Sequence, residues 1–280
     1  MDPIRVHREG PDDAVGVITI DRRERFNSLD VATARDLRKA GLGLARDATA
    51  RVIVVRGSGG VFCSGADLKD IRAGGDRKAL EYLNPAARAV PKGHGEIFRQ
   101  ILEYLHATIA EIRRAPKPVI AAVDGMAAAG GLGLALACDL VVASERSTLE
   151  YAYFKTGLSG AEGTTFALPR LVGLGRALDL ALLNPRLTAR EAHAMGLVSL
   201  VLPDASFDVD VSGLAARLAR GPTAAYAATK RLMNEAATME RLDRHLDREL
   251  DALGHVADGA DFAEGLTAFF EKREPRFRGA

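Results

Sequence analysis

Residues 118–139, PVIAAVDGMAAAGGLGLALACD, constrain the fold of this 280-residue chain more than any other stretch. Val119 to Val123 is an apolar run with β-branched residues, too short for a helix and suited to a buried strand. Asp124-Gly125 breaks the strand, and after a few small residues Gly130-Gly131-Leu132-Gly133 opens the apolar helical run Leu134 to Cys138. A strand that stops at glycines and resumes as a helix turns the helix's free N–H groups toward one point. Gly130 has no side chain to keep a ligand oxygen away, and the helix macrodipole favours negative charge there. Two readings follow: a place that holds an oxyanion, or the clearance a buried helix needs to pack tightly.

The flanking chain alternates strands and helices. Ile4 to Arg8, Val15 to Ile20 and Arg51 to Arg56 read as strands; Asp30 is placed to cap a helix running to about Arg46, with Val31, Ala34, Leu37 and Leu44 on its apolar face. Glycines and prolines between 73 and 95 predict an irregular loop, and Ile97, Ile101, Leu105, Ile109 and Ile112 predict a helix from Glu96 to before Pro116. Leu140 to Ala143 and Val198 to Leu202 read as strands, and Thr148 to Phe154 as a further short one. Gly157 to Thr165 is a turn-rich entry to a helix reaching Leu171. Thr188 with Glu191 has capping-box form, opening a short helix that stops at Gly196. Beyond Asp208 the chain reads as helices at about 210–219, 222–237, 239–254 and 259–272. The pattern predicts an α/β core over 1–205 and a C-terminal helical region over 206–280.

Composition narrows the partners. Lys+Arg at 38 against Asp+Glu at 37 leaves a net charge of +1, so nothing points to nucleic acid or an anionic membrane. With no apolar run of about 18 residues and no charged-then-apolar leader, a soluble cytoplasmic protein is expected. Cys63 and Cys138 are expected to be buried thiols, with one disulfide the other possibility. No P-loop or G-x-S-x-G elbow occurs, Leu136 stands where a dinucleotide fingerprint needs a third glycine, and the six histidines lack metal-ligand spacing. Neither a metal nor a tightly bound cofactor is expected.

What remains is a pair of glycine-flanked turns, Ser64-Gly65-Ala66 and Ala129-Gly130-Gly131, each after a buried strand. Two backbone N–H donors converging on one thioester oxygen would stabilise an enolate. The wording of these segments is specific: Ser64 to Leu68 (SGADL), Lys117 to Gly125 (KPVIAAVDG), Gly130-Gly131 and Cys138-Asp139-Leu140 resemble the enoyl-CoA hydratase/isomerase (crotonase) family. Asn27-Ser28-Leu29, Leu168 to Gly173, Ala192 to Val198 and Ala268 to Arg273 support it, and the resemblance spans about residues 4 to 277. It implies a ββα spiral core, a C-terminal helical region used in trimerisation (a homotrimer or a dimer of trimers) and an acyl-CoA substrate whose coenzyme A is part of the thioester. It also places the two oxyanion donors on the N–H groups of Ala66 and Gly130. CoA contacts would fall on Arg25, Phe26, Ser64, Ala66, Asp67 and Leu68, with Phe277 reaching across a subunit boundary.

The chain departs from the hydratase pattern. The two glutamates that would hold and activate water in that family fall on Gly133 and Tyr153 here. A branch that uses one carboxylate has its acid at the position of Ala161, and Glu162 follows it. One base suffices to take a proton from C2 or C4 and return it to the other end of an allylic enolate, which is double-bond isomerisation. Glu162 is therefore the candidate base, against the plainer role of a solvated glutamate at a helix start. Asp67 and Asp139 read as structural, and strand alternation points Glu150 away from the side of Tyr153. The alternatives are hydration, another enolate reaction such as hydrolysis, decarboxylation or dehalogenation, and a non-catalytic member that binds acyl-CoA.

Overall fold

The computed structural model describes residues 2–75, 94–237, 246, 249–253 and 257–279. The first half contains β1 (Ile4–Glu9), β2 (Val15–Ile20), α1 (Val31–Arg46), β3 (Val52–Gly57), α2 (Leu68–Ala73), α3 (His94–Arg114), β4 (Val119–Val123), β5 (Met126–Ala128) and α4 (Gly130–Ala137). There follow β6 (Leu140–Ser144), β7 (Thr148–Glu150), α5 (Thr164–Val172), α6 (Leu174–Leu182), β8 (Leu187–Thr188), α7 (Ala189–Ala194) and β9 (Leu200–Leu202). The chain closes with α8 (Phe207–Ala219), α9 (Thr223–Ala236) and α10 (Ala260–Glu271).

Six strands form one sheet in the order β1-β2-β3-β4-β6-β9, antiparallel only between β1 and β2. Its central strands are buried on both faces, which is why they read as unbroken Val/Ile runs rather than alternating ones. Val15, Val17, Val52, Val54, Ile120 and Val142 meet Phe207, Val211 and Ala215 of α8 on one face. Ile18, Ile53, Val55, Val119 and Ala121 meet Leu37, Leu44, Leu105 and Leu134 on the other. Each such aliphatic side chain contributes about 1.5–3 kcal/mol by leaving water. The helix α8, assigned by sequence to the C-terminal region, thus closes one face of the sheet.

The connection between sheets builds the site. A second sheet, β5-β7-β8, runs beside the first, and isolated parallel bridges join Cys63 to Ala127 and Leu29 to Ala66. Four times the chain passes from a large-sheet strand, through a strand or bridge of the second layer, into a helix. The passes are β2–Leu29–α1, β3–Cys63–α2, β4–β5–α4 and β6–β7–α5. This is the ββα spiral expected from the resemblance, and it stacks corresponding turns on one another. The turn at Gly65-Ala66 lies beside Ala129-Gly130, and Glu162, on the approach to α5, packs on Gly130.

The chain differs from the sequence expectations at five elements. The strand expected over 148–154 ends at Glu150, because Ala152 adopts a left-handed φ of 61° and residues 153–156 form a 3-10 turn. The small residues Met126–Ala128 form β5, and Leu68–Ala73 form a helix that Asp67 caps by accepting from Lys69 N and Asp70 N at 3.2 and 3.1 Å. Helix α6 and strand β8 were not foreseen. The loop expected over 73–95 and the helix over 239–254 lie largely outside the described residues. Asp30 caps α1 through Thr33 N at 2.7 Å, and the Thr188–Glu191 capping box forms. Cys63 and Cys138 are free and buried. Among the described residues no helix is long and apolar enough to cross a membrane.

Candidate active site

The glycines divide between the two readings that the sequence left open. A Cβ on Gly131 would collide with the Cys63 carbonyl, so that glycine lets α4 lie against the preceding turn. Gly130 is different: a Cβ there would sit 2.9 Å from Glu162 Oε1 and 3.4 Å from Gly65 Cα, facing the site rather than the core. A Cβ on Gly65 would lie 3.0 Å from Gly130 N, so the two turns touch backbone to backbone.

Both candidate donors are free within the described residues: neither Ala66 N–H nor Gly130 N–H has a backbone acceptor. Gly130 is the first residue of α4, where no intrahelical acceptor exists. The Gly65 carbonyl accepts Leu29 N at 2.8 Å, and because a trans peptide points its C=O and N–H in opposite directions, Ala66 N–H faces away from Leu29. Ala129, just before Gly130, has φ 47° and ψ −118°, a conformation that costs a non-glycine residue about 1–3 kcal/mol and aims the following amide.

Glu162 is the acid at this junction. The plainer expectation of a solvated glutamate does not hold: the residue is only 5% exposed. Its backbone is left-handed, φ 49°, and its N–H donates to His106 Nε2 at 3.3 Å. One carboxyl oxygen, Oε2, accepts from the Tyr153 hydroxyl. Burial pushes the Glu162 carboxyl above the ordinary carboxylate range, and the Tyr153 hydrogen bond offsets part of that. Burial, and then the charge of Glu162, raise the Tyr153 phenol, which stays a donor. The His106 ring is lowered by burial, consistent with a neutral nitrogen accepting an amide proton.

Gly133 carries the sharpest steric fact in the site. A Cβ there would lie 2.6 Å from both Glu162 Cβ and the Glu162 carbonyl oxygen. Residue 133 and Glu162 compete for one volume, and here Glu162 fills it. Glu150 is turned elsewhere, its carboxylate paired with Lys155 and with Arg186 at 3.3 Å and accepting from Asn184 at 2.9 Å. Asp139 accepts Val119 N at 2.8 Å and pairs with Lys230 at 2.7 Å.

The residues expected along the CoA path fall into two groups. Arg25, Phe26, Ser64, Asp67 and Leu68 share one edge beside Ala66: Ser64 N donates to the Phe26 carbonyl at 3.2 Å, and Arg25 reaches Asp67 at 3.1 Å. Phe26 and Leu68 are exposed, but the Asp67 carboxylate is taken up by Arg22, Arg25 and the start of α2. Phe277 lies apart from this edge, its carbonyl held by Arg51 at 3.0 Å and its ring over Gly265. Sequence reading weighed His106 only as one of six histidines without metal-ligand spacing, and nothing in its helical neighbourhood announces that it meets residue 162.

The fold is thus a spiral of ββα turns that brings two free amides and a buried acid to one junction. The sequence model described as enoyl-CoA hydratase/isomerase matches residues 10–90 and 93–280. A "Probable enoyl-CoA hydratase" of Rhodobacter capsulatus is 40% identical over 95% of each chain. A "1,2-epoxyphenylacetyl-CoA isomerase" of Escherichia coli is 34% identical over 95% of each. The crystal structure of an enoyl-CoA hydratase from Bacillus anthracis superposes with a TM-score of 0.86 at 31% identity, covering all of both chains. The chain belongs to the enoyl-CoA hydratase/isomerase family, a family of enzymes that act on CoA thioesters.

Proposed function

We propose that this protein isomerises the double bond of an enoyl-CoA thioester, using Ala66 N–H and Gly130 N–H as an oxyanion hole and Glu162 as its single acid–base. The observation that carries the reading is the seat of Glu162: a buried carboxyl, without a cation to neutralise it among the described residues, packed on the Gly130 backbone. Two amides donating to the thioester oxygen stabilise the charge as the enolate develops. The Glu162 carboxylate takes a proton from one end of the allylic system; the C–H electrons enter the dienolate, and the same proton returns to the other end. A raised carboxyl suits both halves of that exchange, since it is neither too weak a base nor too reluctant an acid.

Hydration asks for two carboxylates around one water, and Gly133 leaves no room for the second while Glu162 stands where it does. The relatives' names divide, one an isomerase of an epoxide-bearing CoA thioester and one a probable enoyl-CoA hydratase, so the choice rests on the seat of Glu162. Arg25, Phe26, Ser64, Ala66, Asp67 and Leu68 are proposed to carry CoA, with Phe277 serving a neighbouring subunit of a homotrimer or dimer of trimers. The exposed apolar residues Phe262, Leu266, Phe269 and Phe270 on α10 support that assembly. Purified protein incubated with 3-enoyl-CoA should gain enone absorbance; loss of absorbance from 2-enoyl-CoA without any gain from the 3-enoyl thioester would make it a hydratase instead.

A further inference from the structure

The two oxygens of the Glu162 carboxyl stand in different settings. Oε2 accepts from the Tyr153 hydroxyl, whereas Oε1 lies over Gly130, 2.9 Å from where a Cβ would be. We propose that Tyr153 is a positioning residue that turns Glu162 into a one-oxygen acid–base: the phenol holds Oε2, and Oε1 alone handles the substrate proton. The inference rests on the reading of Glu162 as the base and adds how it is held.

Tyr153 is well placed for this task. It is 6% exposed, and its ring meets Tyr151 edge to face with centroids 4.9 Å apart, so the phenol has little freedom. A hydroxyl has one proton to donate. The other acceptor within reach, the Ala161 carbonyl at 3.2 Å, already accepts from Thr164 Oγ1 at 2.8 Å. The carboxylate is the stronger acceptor, so the phenol proton belongs to Oε2. Among the described residues the other titratable groups facing Glu162 are His106, which accepts its amide proton, Tyr151 and Cys63. Burial raises the Tyr151 phenol and pushes the Cys63 thiol up to about 12, and His106 is lowered from the ordinary imidazole value. At neutral pH these neighbours are uncharged, and among the described residues it is the tyrosine that can set the basicity of Glu162.

The chemistry is balanced and needs no further reactant. A substrate C–H bond breaks as the O–H bond at Oε1 forms, its electron pair moves into the dienolate, and the reverse step delivers the same proton to the far carbon. Because one fixed oxygen of a carboxyl only 5% exposed does both steps, the proton should travel across one face of the allylic system with little exchange against solvent.

The test is Tyr153→Phe in the full chain. Carboxyl carbons of glutamate are labelled with carbon-13, the Glu162 signal is assigned by its absence in Glu162→Gln, and its titration is followed by NMR without substrate. Loss of a hydrogen bond to the charged form should raise the Glu162 midpoint by about one to two pH units. With 3-hexenoyl-CoA, kcat should fall about 10–100-fold while KM stays within about threefold. An unchanged midpoint, or an unchanged kcat in a folded variant, overturns the proposal. If Tyr153→Phe does not fold, biosynthetic replacement of tyrosine by a more acidic fluorotyrosine should lower the midpoint, and no movement there would overturn it equally. If the wild type isomerises no 3-enoyl thioester, the reading of the reaction falls, while the titration still decides whether Tyr153 holds Glu162.

Discussion

Glu150 and Glu162 are twelve positions apart, both buried to within 4–5% of full exclusion, and they have opposite electrostatic surroundings. Glu150 is ringed by Lys155, Arg186 and the Asn184 amide, and although burial opposes them, these partners hold its carboxyl below the ordinary glutamate value of 4.5. Glu162 has a phenol and no cation among the described residues, and burial wins, lifting its carboxyl above the same value. The first glutamate is a fixed charge that ties β7 to the segment before β8. The second binds its proton more tightly than an ordinary glutamate, which suits a group that exchanges protons.

The largest effect that separates them is catalytic. Glu162→Gln should lower kcat for a 3-enoyl thioester by about 10²–10⁴-fold with CoA binding retained, measured by enone absorbance and by calorimetry. The same change should stabilise the fold. A carboxyl whose folded pKa is raised binds its proton more tightly when folded, so it costs stability as pH rises from 4.5 through the folded value. Glutamine removes that cost, and Tm at pH 8 should rise by about 2–4 °C for each kcal/mol recovered, with little gain at pH 4. A destabilised variant with full turnover would place Glu162 beside Glu150 as a structural group.

Gly133 tests whether the site can be turned back toward two carboxylates. Gly133→Ala puts a methyl 2.6 Å from Glu162 Cβ and carbonyl oxygen, so it should cost about 1–3 kcal/mol and displace Glu162. Gly133→Glu should lose isomerisation without gaining hydration, read as the absence of 3-hydroxyacyl-CoA from a 2-enoyl thioester. Hydration appearing in that variant would mean that the segment around Glu162 yields more readily than its packing indicates.

Much of this arrangement was legible in the chain, for identifiable reasons. The buried strands and capped helices announce themselves because Val119 to Val123 and the Asp30 and Thr188 caps are local chemistry. The pairing of Gly65 with Gly130 was visible only through family resemblance, since 65 residues separate them and no local rule links two glycine turns. Burial of Glu162 was hidden because its neighbours Gly160, Ala161, Gly163 and Thr164 look like a solvated turn. What buries it is tertiary: α4 passes beneath with glycine at 133, and α3 brings His106 over it. Helix α6 escaped because Leu174, Leu178 and Leu182 point outward, so its apolar stripe does not mark a core face.

Glu150 should show the converse of Glu162, at smaller scale. Glu150→Gln keeps an acceptor for Asn184 but loses two ion pairs whose cations are more than half exposed, so about 1–2 kcal/mol is expected rather than the larger cost of a fully buried pair. Its depressed folded pKa means that the stabilisation is present above 4.5 and fades as pH falls through the folded value. The Tm difference between wild type and variant should therefore shrink on acidification, with turnover per folded molecule within about threefold. An equal difference at pH 3 and pH 8 would show that packing, not charge, is what Glu150 supplies.

Ala129 joins the two environments and gives the smallest effect. Its N–H donates to the Glu150 carbonyl at 3.1 Å, and the next residue, Gly130, lies under Glu162. At φ 47° and ψ −118° it occupies a region that glycine enters freely and alanine does not. Ala129→Gly relieves that strain but makes the unfolded chain more flexible, two terms of about 1 kcal/mol that oppose each other. A change in Tm of no more than about 3 °C is expected. The informative readout is kcat: if the strain serves only to reach the conformation, glycine reaches it too and turnover persists. If the alanine methyl is needed to keep Gly130 N–H aimed at the thioester oxygen, kcat falls while the Glu162 titration stays where it was, which would separate the oxyanion hole from the base as independently tuned parts of one site.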